Sequence, residues 1–551
     1  MQLRLFALFA GTALAVTPVA GQDAPPAEYD IVIRGGRVLD GAGNPWVLAD
    51  IAIKDGRIAK IGKVSGAGKQ EVDARGRYVS PGWIDMMDQS GRVLRTSGLA
   101  ENKLRMGVTT LIGGEGGTPV PAEGVAAYFK ELETKGIAVN FGTYYSPTQA
   151  RRQVMGDADG RPTPEQMAAM KEKVKIAMNA GTLGLATALI YAPGTFQTTE
   201  ELIEITKTAA PCNAIYATHM RDESAGLLDG IKEAIAIGEG AGVKVEIFHM
   251  KASYAPKYGQ LMPGAVKLIN DARARGVDIA ADMYMYPFSG TGLEVTAPTW
   301  VYAKGFEAAV KLLKDPAERA KMKADIKKGP MPGWTNMVYS VGGWQNVILA
   351  NSHNPQFAKY HFKSIAEIAK AEGVADPADM AWDIMLAALP KRAVAIYMSM
   401  DERDITLALK QPWVSIGSDA GAAETFGQID GMGLPHPRAY GNAARVIAEY
   451  VKRRGVLTLE DAVRKQTSWP AHRMGLTDRG VLREGLRADI TIFDYEKLDD
   501  RAWLDRPVTS PVGIDDVIVN GQLVLSGGKV TGARPGVVLK GACAAPGAAL
   551  K

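Results

Sequence analysis

The sequence predicts a (β/α)8 barrel, a TIM barrel, joined to a composite β domain formed from both chain ends and carrying an insertion near the barrel mouth. Three observations lead there. Short apolar strands alternate with helical segments through the middle of the chain, hairpin patterns occupy both ends, and the alternation lapses between 291 and 351.

The chain opens on MQLRLFALFAGTALAVTPVAGQDAPP, with Arg4 as a short basic region, an apolar run from Leu5 to Val16, and small residues at Ala20 and Gly21. This is the pattern of an export signal over residues 1–21. The apolar run falls short of the roughly 20 residues that a spanning helix needs. No later stretch is long and apolar enough to span, so the mature protein is expected to be soluble and periplasmic or secreted. After the Pro25-Pro26 linker, YDIVIRGGRVLDG and DIAIKDGRIAKIG alternate apolar and polar residues around Gly35-Gly36 and Asp55-Gly56. RADITIFDY and DDVIVNGQLVLSGGKV do the same near the other end, with Asn520-Gly521 and Gly527-Gly528 as turn pairs. Neither block is large enough for its own core, so 28–80 and 485–540 are expected to form one composite domain.

Between them, 81–484 reads as the barrel. PEQMAAMKEKVKIAMNAG, TEELIEITKTAA and ESAGLLDGIKEAIAIGEGAG are helical, and the strand candidates end on Glu115, Tyr191, His219, His249, Tyr284 and Asp419. In a barrel the C-terminal strand ends share one mouth, so these scattered residues can meet. A doubly wound sheet is the alternative, but it usually needs a glycine-rich phosphate loop, and none follows the first strand. Segment 291–351, rich in Pro, Gly, Lys and Trp, reads as an insertion over the mouth or an irregular connection.

Composition narrows the function. A chain of 551 residues with 46% hydrophobic and 23% charged residues is an ordinary globular protein. A net charge of +4 without a basic block interleaved with aromatics gives no nucleic-acid footprint, which leaves a small polar substrate. Cys212 and Cys543, the only cysteines, exclude a disulfide scaffold and leave a single bridge open. Oligomeric state is not legible.

His219 in YATHMRDE and His249 in IFHMKAS each end an apolar strand, and two imidazoles at neighbouring strand ends can share a metal. Zn2+ is the natural guest, since catalytic zinc takes three protein ligands and keeps one position open. Glu115, between glycines in GVTTLIGGEGG, is the candidate third ligand; the alternative is a strand-end carboxylate facing water. Asp419 in SIGSDAGA is either a proton carrier aimed into a cavity or a helix N-cap. His436 is expected near the mouth beside Arg438, while His353, His361 and His472 read as structural.

Taken in order, YDIVIRGGRVLDGAG, PGWID, GVTTLIGGEGG, GLATALIYAPG, YATHMRDE, FHMKA, IGSDAG, LPHPRAYG, LREGLRADITIFD and VNGQLVLSGGKVTGARPGVVL resemble the D-aminoacylase (N-acyl-D-amino-acid deacylase) family of the amidohydrolase superfamily. The resemblance covers roughly 28–540. It implies a TIM barrel, a split β-sandwich, an insertion near the mouth, and zinc-dependent removal of the acyl group from N-acyl-D-amino acids. It also places His219 and His249 on the family's metal histidines, Asp419 on its general base, and Lys251, Tyr191, Tyr284 and Arg438 on positions that hold the substrate's carboxylate or carbonyl. Lys251 and Arg438 together suit a free carboxylate. Tyr191 suits a developing oxyanion.

The chain departs from that family at the first barrel strand, where a His-x-His metal pair is usual and PGWIDMMDQSG has Met87 and Gln89. A thioether and an amide oxygen are poor zinc ligands. The family's cysteine ligand is replaced by Glu115 or Gly116, depending on register. One ion, held by Glu115, His219 and His249, is therefore expected, with Asp88 read as a polar loop residue in preference to a substitute ligand. Two alternatives remain: hydrolysis of D-amino-acid-containing dipeptides or other amides, and a non-catalytic periplasmic binding protein on a decayed barrel.

Overall fold

The computed structural model describes residues 27–423, 436–545, 547, 549 and 550; the proposed export signal lies outside them. Eight strands form the barrel: β1 (Trp83–Asp88), β2 (Val108–Gly113), β3 (Asn140–Thr143), β4 (Gly184–Ala188), β5 (Ile215–His219), β6 (Lys244–Ile247), β7 (Ile279–Met283) and β8 (Val414–Ile416). Successive strands pair in parallel, and single bridges, Tyr145 with Leu185 and Asp88 with Ala420, link β3 to β4 and β1 to β8. Every residue of β1 and β2 is buried, as strands covered on both faces must be.

The helices start where the sequence caps them. Thr163 and Gln166 form a capping box on Pro164–Ala180, and Thr198 and Glu201 form another on Thr199–Thr206.

The hairpin blocks from the two chain ends join in one nine-stranded sheet. Tyr78–Pro81 pairs antiparallel with Ile490–Phe493, and alternate residues Ile31, Ile33, Ile51, Ile53, Ile490 and Ile492 fill one apolar cluster. The sheet meets the barrel at the beginnings of its strands. Gly82, just before β1, donates to Asp489 O, and Thr491 Oγ1 donates to Gly107 O just before β2. The opposite end of the barrel is left for chemistry.

The run from Ser289 to Tyr397 carries its own three-stranded antiparallel sheet and its own apolar cluster, and it encloses the stretch 291–351. The bridge that the sequence left open is formed: Cys212 is bonded to Cys543 across 331 residues, fastening the C-terminal segment to the barrel's outer layer.

Candidate active site

All six strand-end residues lie at or just past the C-terminal ends of β2 and β4–β8 and line or adjoin one cavity of about 940 Å3. His219 closes β5 itself; Glu115 and His249 follow β2 and β6 by two residues. Glu115 Oε1 lies 2.8 Å from His219 Nδ1 and 3.2 Å from His249 Nε2. The imidazole rings stand edge to face with centroids 4.5 Å apart. One ligand atom from each of the three residues falls within 4.8 Å of the others, a set of one carboxylate oxygen and two imidazole nitrogens that fits a single cation.

Two of the mouth residues hold unusual backbone. His249 has φ 35° and Asp419 φ 50°, in the left-handed region that side chains disfavour. Each is tied in place: His249 N donates to Asp282 Oδ1 at 2.9 Å and Asp419 N to Met87 O at 2.8 Å. Backbone strain of this kind clusters at functional sites.

The electrostatics favour a cation. Burial opposes ionisation of Glu115, but hydrogen bonds from His219 and His249 outweigh it and hold its carboxyl below the usual range. Burial and Lys251 oppose protonation of His249, yet Glu223, Asp419 and Glu115 push its pKa up to about 10. An imidazole so ready to take a proton occupies a site short of positive charge. Burial raises Asp419 and Glu115 adds to this, against Arg438 and His249. Tyr191 and Tyr284 are pushed up by burial and stay neutral phenols.

Glu223, which the sequence reading passed over, is central. It is only 4% exposed, and its carboxylate reaches His249 Nδ1 at 3.0 Å and Lys251 Nζ at 2.6 Å. A carboxylate behind an imidazole fixes its tautomer and raises its basicity. The signal available was its place four residues after His219, in the charged loop HMRDE that follows the strand. Gln89 bridges two acids, its Nε2 donating to Glu115 Oε2 at 3.1 Å and Asp419 Oδ1 at 2.7 Å.

The other predicted residues fall around this centre. Tyr191 packs 5.4 Å from the His219 ring and shares a hydrogen bond with Thr291. Arg438 lies over the Tyr284 ring at 4.6 Å and pairs with Asp419 at 2.8 Å. His436 is buried and held neutral by burial and by Arg438; its Nε2 donates to Phe288 O and its Nδ1 accepts from Arg438 N. His353, His361 and His472 do not line the cavity. Asp88 is no solvated loop residue, because it ends β1 fully buried and pairs with Lys103 at 2.8 Å.

A model described as the amidohydrolase family matches residues 70–525. The chain belongs to the amidohydrolase family. Within it, this amidohydrolase is 30% identical over 537 residues to an N-acyl-D-glutamate deacylase of Alcaligenes xylosoxydans xylosoxydans, covering 93% of this chain and 97% of that one. It is 29% identical to a D-aminoacylase of the same organism, covering 93% and 97%. Among solved structures it resembles a D-aminoacylase with a binuclear metal centre, described by one-metal activation and second-metal attenuation, at TM-score 0.77 and 26% identity over 93% of this chain and 100% of that one. An N-acyl-D-glutamate deacylase from Bordetella bronchiseptica, complexed with zinc and a phosphonate mimic of the tetrahedral intermediate, matches at TM-score 0.76 and 28% identity, covering 93% and 99%. This amidohydrolase is an amide-bond hydrolase whose relatives carry metal centres.

Proposed function

We propose that this amidohydrolase is an exported deacylase that hydrolyses the amide bond of N-acyl-D-amino acids with one zinc ion held by Glu115, His219 and His249. The observation that carries the reading is the gathering of those three donors at the cavity, linked through the Gln89 amide to the buried carboxylate of Asp419. Zinc bound there supplies Lewis acidity to the acyl carbonyl and lowers the pKa of water. A single ion suits this chain because Met87 offers only a buried thioether and the Gln89 amide is committed to two carboxylates.

Asp419 takes the proton from attacking water and passes it to the leaving nitrogen. Tyr191, neutral and beside His219, donates to the oxyanion. Lys251, Tyr284 and Arg438 hold the substrate's free carboxylate. Among the described residues, Arg438 Nε and the Tyr284 hydroxyl are buried without a hydrogen-bond partner. Two orphaned donors stacked together call for an acceptor, and an anion suits them best. The deacylase names of the relatives support the substrate class, and the Cys212–Cys543 bridge suits an oxidising compartment.

The test combines metal analysis with turnover of N-acyl amino acids and dipeptides of both chiralities. About one zinc per chain is expected, with N-acyl-D-amino acids turned over fastest and Asp419→Asn slower by at least about 100-fold. Equal rates in parent and Asp419→Asn would overturn the assignment, and faster cleavage of dipeptides would redirect it.

A further inference from the structure

Lys103 lies in the short helix Glu101–Arg105, outside the strands, yet its side chain is 0% exposed. Its ammonium is surrounded by oxygen: Asp85 Oδ2, Asp88 Oδ2 and Ser418 Oγ each at 2.8 Å, and Ala420 O at 2.6 Å. Two of these partners belong to the first barrel strand, Asp85 in its middle and Asp88 at its end. The other two flank Asp419. A buried charge this well paired is costly to assemble and strongly destabilising to break, so its position is dictated by what it joins.

What it joins is the turn that aims Asp419. The same turn is stitched at neighbouring points: Ser418 N donates to Asp85 Oδ1 at 2.7 Å, Ala422 N to Ser90 Oγ at 2.7 Å, and Ala423 N to Asn102 Oδ1 at 2.9 Å. Ser90 Oγ in turn donates to Asp88 Oδ2 at 2.8 Å. Without the ammonium, Asp85 and Asp88 would be two uncompensated carboxylates beneath a third, Asp419, whose left-handed backbone is already disfavoured. Repulsion and strain would then act together to release the turn.

We propose that Lys103 is a positioning residue: a tethered cation that pairs with both buried carboxylates of the first barrel strand and locks the 417–423 turn so that Asp419 faces Glu115, His219 and His249. It touches no substrate. The proposal rests on Asp419 as the proton carrier and concerns how that residue is held. With Gln89 spanning Glu115 and Asp419, it leaves this side of the site occupied by the protein's own nitrogen atoms.

The test uses the full chain with Lys103→Met and the charge-balanced Lys103→Met/Asp88→Asn, which removes one charge of each sign and guards against loss of the fold. Readouts are zinc content, kcat and KM, thermal melting, and backbone hydrogen exchange. The double variant is expected to melt as a folded protein, keep its zinc and its KM, and lose about 100-fold in kcat, as misplacement of a reacting group by about 1 Å can cause. Amides of 417–423 should lose protection while β4–β7 keep theirs. Unchanged protection in that turn, or an unchanged kcat, overturns the proposal; so does loss of fold or zinc in both variants, which would make Lys103 a scaffold residue. A parent without amidase activity sinks the assignment of Asp419 instead, and hydrogen exchange still decides whether Lys103 holds the turn.

Discussion

The two ends of the barrel use the same kinds of residue in opposite ways. At the strand beginnings, the buried carboxylate of Asp489 accepts from Arg479, from Asn140 Nδ2 at 2.9 Å and from Asn520 N at 2.7 Å. At the strand ends, His219 Nε2, Arg438 Nε and the Tyr284 hydroxyl are buried and without a hydrogen-bond partner among the described residues, while His249 and Asp419 hold disfavoured backbone. A satisfied network contributes stability; unspent donors and stored strain are a cost that binding can recover.

The sharpest break of that contrast is His219→Ala. It removes a proposed metal ligand, and loss of the ion's charge stabilisation, worth several kcal/mol, should lower kcat/KM by at least about a thousand-fold. The metal-free variant should also lose about 1–3 kcal/mol of stability, because buried Glu115 loses a hydrogen-bond partner, which calorimetry checks. The reciprocal change, Arg479→Met, strands Asp489 at the other end. It should cost about 3–5 kcal/mol in denaturant unfolding, with kcat per folded molecule unchanged. Replacing both cysteines, Cys212→Ser with Cys543→Ser, should cost about 2–4 kcal/mol and again spare kcat. The smallest and most discriminating effect belongs to Arg438→Lys. Losing a planar fork beside Tyr284 should raise KM for a substrate with a free carboxylate by about tenfold, at about 1.5 kcal/mol, and leave amide substrates lacking that carboxylate unaffected. Equal effects on both substrates would mean that Arg438 serves Asp419 alone.

The parts of this architecture that local pattern encodes were readable in advance. Apolar strands ending on His219, His249, Glu115 and Asp419 announce a shared mouth because a barrel gathers its strand ends, and capping residues such as Thr163 mark helix starts directly. What escaped notice depends on contacts between distant residues. Glu223 and Lys103 sit in charged stretches, HMRDE and ENKLR, that look like solvated faces until packing closes over them. The Cys212–Cys543 pair, 331 residues apart, was left open by the sequence, because only the fold brings the two cysteines together. The strand Val394–Tyr397 likewise finds Ser289–Gly292 only through a long excursion of the chain, so the full reach of that sheet cannot be seen from composition.

The sheet shared by the two chain ends has a consequence for synthesis. Ser80 and Thr491 bond although 411 residues separate them. The early strands of that sheet therefore leave the ribosome long before their neighbours exist, and their apolar edge must wait uncovered. A chain built this way gains its closing strands last, which favours completing its fold only after the whole polypeptide has been delivered.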